Sequence, residues 1–249
     1  MKNIICGLFF LLITVNVCGQ IDNEVFCYPD TVSIEAPVLR HVQKSTFEIA
    51  SFTPYKFIWC EKRSKIGARL EIGVSSFHYN KSTRDWIGNH VAPNFNFIFV
   101  YDKFNFGFRF KPFTVSPEKE LLFDNKTLRQ EANLNPIKLD FYLGYSFDFK
   151  HLSIEPYLGL SRNNFVVINQ NELNETFSIP SATGFINGIT VNKYFKTKNY
   201  KYISIFSNVG YSIIDYKKVH STLGANYFEW TLGVALKGFF TKNFRQKIE

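Results

Sequence analysis

The sequence predicts an all-β protein, a single eight-stranded antiparallel transmembrane β-barrel that occupies residues 66–240. Three features of the 249-residue chain lead to this fold class. Apolar and polar side chains alternate in eight segments, the connections alternate between short and long, and glycines recur in mid-strand on the polar face. Because successive side chains of a strand point to opposite faces, each segment offers an apolar face to lipid and a polar face to the barrel interior.

The alternation is clearest in residues 137–162, which form two predicted strands joined by a turn at Lys150. One face of the first strand carries seven large apolar residues: Ile137, Leu139, Phe141, Leu143, Tyr145, Phe147 and Phe149. A small soluble core seldom needs so many on one strand, whereas a barrel in lipid needs such a face on every strand. Pro156 lies on the outer face of the second strand, and because proline lacks a ladder donor we expect a bulge or an early strand end there.

Six further segments repeat this unit, at about 66–75, 92–101, 104–111, 183–195, 203–213 and 228–240. The segment 183–195 is the least regular, since Asn187 falls on its apolar face. Short turns at Asp102-Lys103, at Lys150 and within 196–200 lie at one predicted end of the barrel. Long connections at 80–91, 114–136, 163–180 and 215–225 lie at the other. An even number of strands returns both ends of the barrel segment to the short-turn end.

The predicted inner face carries seven glycines near the strand middles: Gly73, Gly107, Gly144, Gly159, Gly188, Gly210 and Gly233. Glycine weakens a strand interior, so its repeated placement on one face indicates a packing requirement. An eight-stranded barrel leaves an interior only wide enough for side chains to fill. We therefore expect these glycines to make room for long charged side chains opposite them.

The same inner face carries five cations and five acids. They are Arg69, Arg109, Lys111, Lys138 and Lys237, and Glu71, Asp140, Asp148, Glu155 and Glu229. Unpaired buried charge is costly, so this balance predicts a network of internal ion pairs and a closed lumen. A selectivity lining would favour one sign of charge.

The ends of the chain lie outside the predicted barrel. Residues 1–19, with Lys2 before an apolar run and Val17-Cys18-Gly19 at the end, are predicted to be a secretory signal peptide. Residues 20–65 form an N-terminal arm, largely irregular, in which 57–65 either extends the first strand or packs across the barrel opening. Residues 241–249 form a tail. Cys27 and Cys60 either pair as a disulfide or remain separate thiols, since spacing alone does not establish the geometry.

The net charge of +8 raises the question of nucleic acid. Basic residues are spread among strands and turns without a cluster interleaved with aromatics, so we predict no nucleic-acid partner. The histidines lack metal-ligand spacing and the chain lacks phosphate-binding glycine motifs, so we predict no metal and no cofactor. The basic residues near the short turns either contact anionic lipid headgroups or form a solvated rim.

The alternation, the connection lengths and a last strand that ends in Gly238-Phe239-Phe240 resemble the eight-stranded outer-membrane barrels of the OmpA/OmpX type. The resemblance covers about residues 66–240 and rests on pattern, without a signature motif. It implies a Gram-negative outer membrane, short periplasmic turns, long extracellular loops, a periplasmic arm and tail, and contact with outer-membrane lipids. The tail after Phe240 departs from the many family members that stop at an aromatic residue.

We expect a non-enzymatic surface, structural or interaction role through the loops 114–136 and 163–180, whose mixed composition suits a protein or glycan partner. One alternative is a lipid-modifying enzyme of the deacylase or acyltransferase type. The sequence His151-Leu152-Ser153, with Glu155, matches the His-x-Ser pair of outer-membrane lipid A deacylases, but its inward parity and its place beside a short turn disfavour it. The remaining candidates near the outer rim are Ser76, His78 and His90. Another alternative is a barrel component of a secretion or motility assembly.

Overall fold

A computed structural model describes residues 25–35, 55–123, 126–168, 177–198, 201–224 and 226–248. The predicted signal peptide lies outside these residues, as do 36–54 of the predicted arm. The described ranges contain one α-helix, α1 (Lys81–Ile87), and one 3-10 turn, Tyr216–Lys218. The strands are β1 (Val25–Glu35), β2 (Tyr55–Tyr79), β3 (His90–Tyr101), β4 (Phe104–Pro112), β5 (Leu121–Phe123), β6 (Lys126–Leu128), β7 (Leu134–Tyr145), β8 (Phe147–Asp148), β9 (Leu152–Val167), β10 (Ala182–Lys198), β11 (Lys201–Ile214) and β12 (Tyr227–Ile248).

Eight antiparallel strands close into a barrel. The hydrogen-bonded order is β2-β12-β11-β10-β9-β7-β4-β3, and β3 pairs again with β2, which joins the two edges. The short β8 continues the line of β7 against β9. The prediction of an eight-stranded antiparallel barrel is confirmed. Pairing of β2 with β3 begins at Ile66, and pairing of β12 with β11 ends at Gly238.

The connections differ in length at the two ends of the barrel. Two-residue connections join β3 to β4, where Asp102 adopts a φ of 54°, and β10 to β11. We call this the turn end, and the opposite one the loop end. At the loop end, α1 lies between β2 and β3, and the β5–β6 hairpin lies between β4 and β7. Asn80 caps α1 by accepting a hydrogen bond from the backbone N–H of Thr83 at 3.2 Å.

Pro156 does not shorten β9, which runs unbroken from Leu152 to Val167. Its pairing with β7 ends at Tyr157, and its pairing with β8 begins at Ile154. Pro156 is therefore level with Tyr145, the last residue of β7, next to the break at Ser146 where the ladder is already interrupted. The bulge or early strand end expected in β9 is therefore absent, and the interruption lies in the neighbouring strand.

The structure differs from the expected irregular arm. Val25–Glu35 forms β1, and β2 begins at Tyr55, so residues 57–65 extend the first barrel strand. Residues 56–63 of β2 pair with 241–248 of β12 and with β1, and this three-stranded exterior sheet projects beyond the turn end. Polar and apolar residues mix on both faces of the exterior sheet, so the alternation that marks the barrel strands is missing there.

An apolar cluster closes the loop end of the barrel, and we call it the cap. Long connections supply Trp86, Leu121, Phe123, Tyr216 and Leu223, which pack onto the inward residues at the strand ends. Those strand residues are Phe77, Tyr79, Ala92, Leu134, Phe165, Val167, Ala182, Ile214 and Tyr227. Trp86 of α1 is 1% exposed, with its ring centroid 5.3 Å from that of Phe165. These described parts of the long connections are thus folded over the barrel mouth.

The outer surface of the barrel is an apolar belt. Large side chains such as Phe97, Phe141, Leu158, Phe185 and Val234 lie on it with about half or more of their surface exposed. A closed barrel satisfies its backbone hydrogen bonds internally, and a polar interior with an apolar exterior is the arrangement that spans a bilayer. Among the described residues, no helix is long and apolar enough to cross a membrane.

Candidate functional site in the barrel lumen

Directly beneath the cap lie four charged side chains that we call the charge box: Lys111, Lys138, Asp140 and Glu229. Glu229 bridges both lysines, with Lys138 Nζ 2.7 Å from its Oε2 and Lys111 Nζ hydrogen-bonded to its Oε1. Asp140 Oδ2 lies 3.4 Å from each lysine. All four are at most 2% exposed. Two cations and two carboxylates therefore neutralise each other away from water.

Neighbouring groups complete the charge box. The hydroxyls of Ser75 and Thr231 donate to Glu229 Oε1 at 3.2 and 3.1 Å. The ammonium of Lys138 lies 4.8 Å from the centre of the Tyr227 ring, and that of Lys111 lies 5.7 Å from the Phe77 ring. Both rings belong to the cap, so the box and the cap are packed as one body. Cation–π contact favours this arrangement.

A second ion-pair cluster, the lower cluster, lies nearer the turn end. The guanidinium of Arg69 makes two hydrogen bonds to Glu155, at 2.7 and 2.6 Å, and its Nε lies 2.9 Å from Glu71 Oε1. Ser153 and Asn105 also donate to Glu155, at 2.8 and 3.2 Å. Bidentate pairs of this kind are among the stronger hydrogen bonds of proteins. Arg69, Glu71 and Glu155 are at most 3% exposed.

Between the two clusters lies Arg109, held by aromatic rings. Its guanidinium carbon lies 4.8 Å from the Tyr142 ring centre and 5.0 Å from that of Tyr157, whose hydroxyl accepts a hydrogen bond from Nη1 at 3.3 Å. Tyr157 in turn donates to Asn208 Oδ1 at 3.1 Å. Tyrosine contacts thus take the place of a carboxylate around this arginine.

The inward glycines accommodate aromatic side chains. A Cβ added at Gly107 would overlap the ring of Tyr142, and one at Gly210 would lie 2.7 Å from the hydroxyl of Tyr157. A Cβ at Gly233 would lie 2.7 Å from the Phe206 ring. The expectation that these glycines make room for charged side chains is therefore wrong for these positions. Tyr142, Tyr157 and Phe206 fill the middle of the lumen.

The structure brings seven of the ten predicted lumen residues into ion pairs: Arg69, Glu71, Lys111, Lys138, Asp140, Glu155 and Glu229. The ion pairs found among the described residues do not include Arg109, Asp148 or Lys237. Lys237 instead donates to the hydroxyl of Tyr194 at 3.4 Å, and Asp148 is half-buried in β8 beside a turn. The predicted pairing of five with five is thus replaced by two separate clusters.

The charged groups of the charge box and of the lower cluster contact one another and neighbouring hydroxyl groups. The described residues contain no group of three or more His, Cys, Asp or Glu that could hold a metal ion. Ser153 is buried against Glu155 and Tyr194, whereas His151 is exposed in the turn before β9. His151 and Ser153 therefore do not form a pair on a surface that faces lipid.

On the outer surface, one serine–histidine contact lies at the loop end of the belt. Ser76 Oγ is 3.1 Å from His78 Nε2, on the outward side of β2. No hydrogen bond from either side chain to a carboxylate is found in the described part of the chain. His90 lies apart from them, stacked on Phe113 with ring centroids 4.0 Å apart in the cap.

The exterior sheet contains a disulfide. Cys27 of β1 and Cys60 of β2 lie directly opposite each other, with their sulfurs bonded at 2.03 Å. On the other face of the sheet, the guanidinium of Arg245 lies 4.8 Å from the ring centre of Trp59. The disulfide ties the first described strand to the base of the barrel.

No protein-family model and no curated protein matches the sequence. Among solved structures, the chain is similar to the outer membrane protein OprG from Pseudomonas aeruginosa, with 8% identity and a TM-score of 0.44 over 70% of this chain and 96% of that one. It is also similar to the attachment invasion locus protein Ail of Yersinia pestis, solved with a heparin analogue, at 12% identity and a TM-score of 0.44 over 70% and 99%. Neisserial surface protein A has 11% identity and a TM-score of 0.42 over 71% and 98%.

Proposed function

We propose that this protein is a non-enzymatic outer-membrane β-barrel with a closed lumen, which acts through the surfaces that it presents on either side of the membrane. The filled interior is the observation that carries this proposal. The cap, the charge box, the tyrosines around Arg109 and the lower cluster follow one another along the barrel axis. A permeating ion would have to displace partners that are already paired in a dry environment, which is costly.

Planar bilayer recording tests the closed lumen. We expect no stable single-channel steps from homogeneous monomer, while an open porin added to the same membrane as a control gives steps. Reproducible ohmic openings from the monomer would contradict the proposal and indicate a transport role.

The loop end is proposed to be extracellular, and the cap holds the loops there as a fixed surface. Exposed positions on it include Lys119, Leu122 and Lys217. Cysteines placed at Lys119 and Lys217 should react with an impermeant maleimide on intact cells, whereas cysteines at Lys103 and Lys150, in the opposite turns, should not. Labelling only at the turn positions would show that the turn end is extracellular, which contradicts the proposed orientation.

A protein or glycan partner is proposed to bind this fixed loop surface. A photo-crosslinker at Leu122 should capture such a partner, with the same crosslinker at Lys103 as the matched control. A partner captured only from Lys103 would move the interaction to the opposite side, and capture of a defined set of proteins there would favour membership of a secretion or motility assembly.

A second candidate function is hydrolysis of lipid esters at the outer rim, favoured by the contact between Ser76 and His78. A base within hydrogen-bond distance of a hydroxyl is the first requirement for an activated serine nucleophile. Lipopolysaccharide and phospholipid would be incubated with purified protein, and the products read by mass spectrometry. A non-enzymatic barrel should give no product. Product that disappears in Ser76→Ala but persists in Ser207→Ala, another outward serine, would establish the enzyme instead.

A further inference from the structure

The two ends of the barrel differ in charge. At the loop end, exposed cations and acids are interspersed, as in Lys81, Arg84, Asp85, Lys119, Glu118, Glu120, Asp215, Lys217 and Lys218. At the turn end, the exposed cations are Lys56, Lys62, Lys65, Lys103, Lys150, Lys193, Lys201, Lys242, Arg245 and Lys247. Acids among the described residues there are fewer, namely Asp30 and Glu35 of β1, Glu61, Asp102 and Asp148. The turn end therefore carries a strong positive potential.

Two of these lysines lie directly opposite each other. Lys62 of β2 pairs with Lys242 of β12 in the exterior sheet, so their side chains share a face, and both are exposed. Like charges directly opposite across a ladder destabilise the pair. The third residue of that row is Val25 of β1, which supplies no compensating charge. An anion bound between the two ammonium groups would remove the repulsion.

The position of this lysine pair relative to the belt identifies the anion. Phe240, 63% exposed, is the last exposed large apolar residue on the outward side of β12, and Phe244 further along that side is half-buried. Lys242 is the next residue on that side, about 7 Å further along the strand. Ammonium groups directly beyond an apolar belt lie at the depth of the lipid headgroups.

The remaining turn-end lysines lie on other strands and turns at the same end of the barrel. Lys193 lies opposite Leu152, the first residue of β9, and Lys201, the first residue of β11, lies opposite Gly238. Lys103 and Lys150 lie in the turns between strands. The cations thus follow the circumference of the barrel at the turn end.

We propose that the turn end binds the phosphate groups of anionic phospholipids, with Lys62 and Lys242 as its principal site. This inference rests on the proposed membrane-spanning barrel and names its lipid partner. An alternative reason for exposed lysine is protection of a free strand edge against pairing with another chain. That reason applies to Lys242 on β12, but Lys62 lies on the central strand of the exterior sheet, between β1 and β12. Headgroup binding accounts for both.

The test uses the full chain folded into vesicles of phosphatidylcholine, alone or mixed with phosphatidylglycerol. Spin-labelled analogues of the two lipids give the relative association constant of each at the protein surface. Each lysine near an anionic surface strengthens association about fivefold. We therefore expect the wild type to prefer phosphatidylglycerol, and the double variant Lys62→Gln/Lys242→Gln to lose at least about fivefold of that preference.

A matched double variant, Lys217→Gln/Lys218→Gln, makes the same change of charge at the loop end and should keep the full preference. An equal loss in both double variants would overturn the proposal, because net charge would then explain it. Inorganic phosphate that displaces the labelled phosphatidylglycerol, at an ionic strength matched with chloride, would assign the site to soluble phosphate and also overturn it. A folded barrel migrates differently on an SDS gel before and after heating. If neither vesicle preparation shows this shift, the chain has not folded as a membrane barrel, and that result would contradict the proposed function rather than the lipid site.

Discussion

Replacing Glu229 with glutamine should be among the most destabilising conservative changes in this protein. The Glu229→Gln side chain keeps the shape of the original and an oxygen that accepts from Ser75 and Thr231, but it removes one negative charge from the charge box. Two buried ammonium groups, Lys111 and Lys138, would then face a single carboxylate, Asp140. Removing one partner of a buried ion pair costs about 3–5 kcal/mol of unfolding free energy.

A second substitution distinguishes charge imbalance from lost contacts. In the double variant Lys111→Met/Glu229→Gln, the charge of the box is balanced again, because one cation, Lys138, faces one anion, Asp140. We therefore expect it to be more stable than Glu229→Gln alone, with a coupling energy of about 0.5–3 kcal/mol between the two sites. Methionine retains most of the apolar stem of lysine, so the volume of the side chain is largely preserved, whereas the cation–π contact with Phe77 is lost.

Urea unfolding of the chain folded into lipid vesicles, followed by tryptophan fluorescence, measures these free energies. The control is Glu120→Gln, an exposed loop residue, which should change stability by no more than about 0.5 kcal/mol. Additive losses in the double variant, or a loss below about 1 kcal/mol for Glu229→Gln, would refute the charge-box reasoning.

Three further outcomes are expected. Phe141→Arg should lower the unfolding free energy by about 2–4 kcal/mol, because Phe141 is 60% exposed on the face toward lipid. Leu122→Arg should change it very little, because Leu122, 57% exposed, lies in β5 at the loop end. Equal losses in urea titrations would argue against membrane insertion. Gly107→Ala should cost about 1–3 kcal/mol through overlap with Tyr142, and less in a Tyr142→Leu background; an undiminished cost there would exclude the overlap as the cause. Thiol counting on the unfolded, unreduced mature chain should find Cys27 and Cys60 blocked, and two free thiols would disprove the pairing.

The sequence by itself determined the barrel. Lipid contacts each strand separately, so every strand must carry its own apolar face, and the alternation can be recognised in a single segment such as residues 137–149. The strand count and the alternation of short and long connections follow from eight such segments. The inward position of all ten charged candidates was derived in the same way, since parity is a local property.

Partners within the lumen were decided only by the tertiary structure. Arg69 meets Glu155 across 86 residues, and Lys111 meets Glu229 across 118, because the stagger of the closed barrel sets which inward residues reach the same level. Parity contains no information about that stagger. For the same reason the sequence did not reveal that Tyr142 and Tyr157 would hold Arg109.

The cap and the exterior sheet also depended on tertiary structure. Trp86, Phe123 and Tyr216 come from three different connections and acquire a common core only when the barrel brings their ends together. The exterior sheet has neither a lipid face nor a lumen face. Polar and apolar residues therefore do not alternate in β1 or in the ends of β2 and β12, and the sequence gives no strand pattern there. The alternation of apolar and polar residues along each strand reflects contact with lipid on one face. Contacts between residues distant in sequence follow only from the closed barrel.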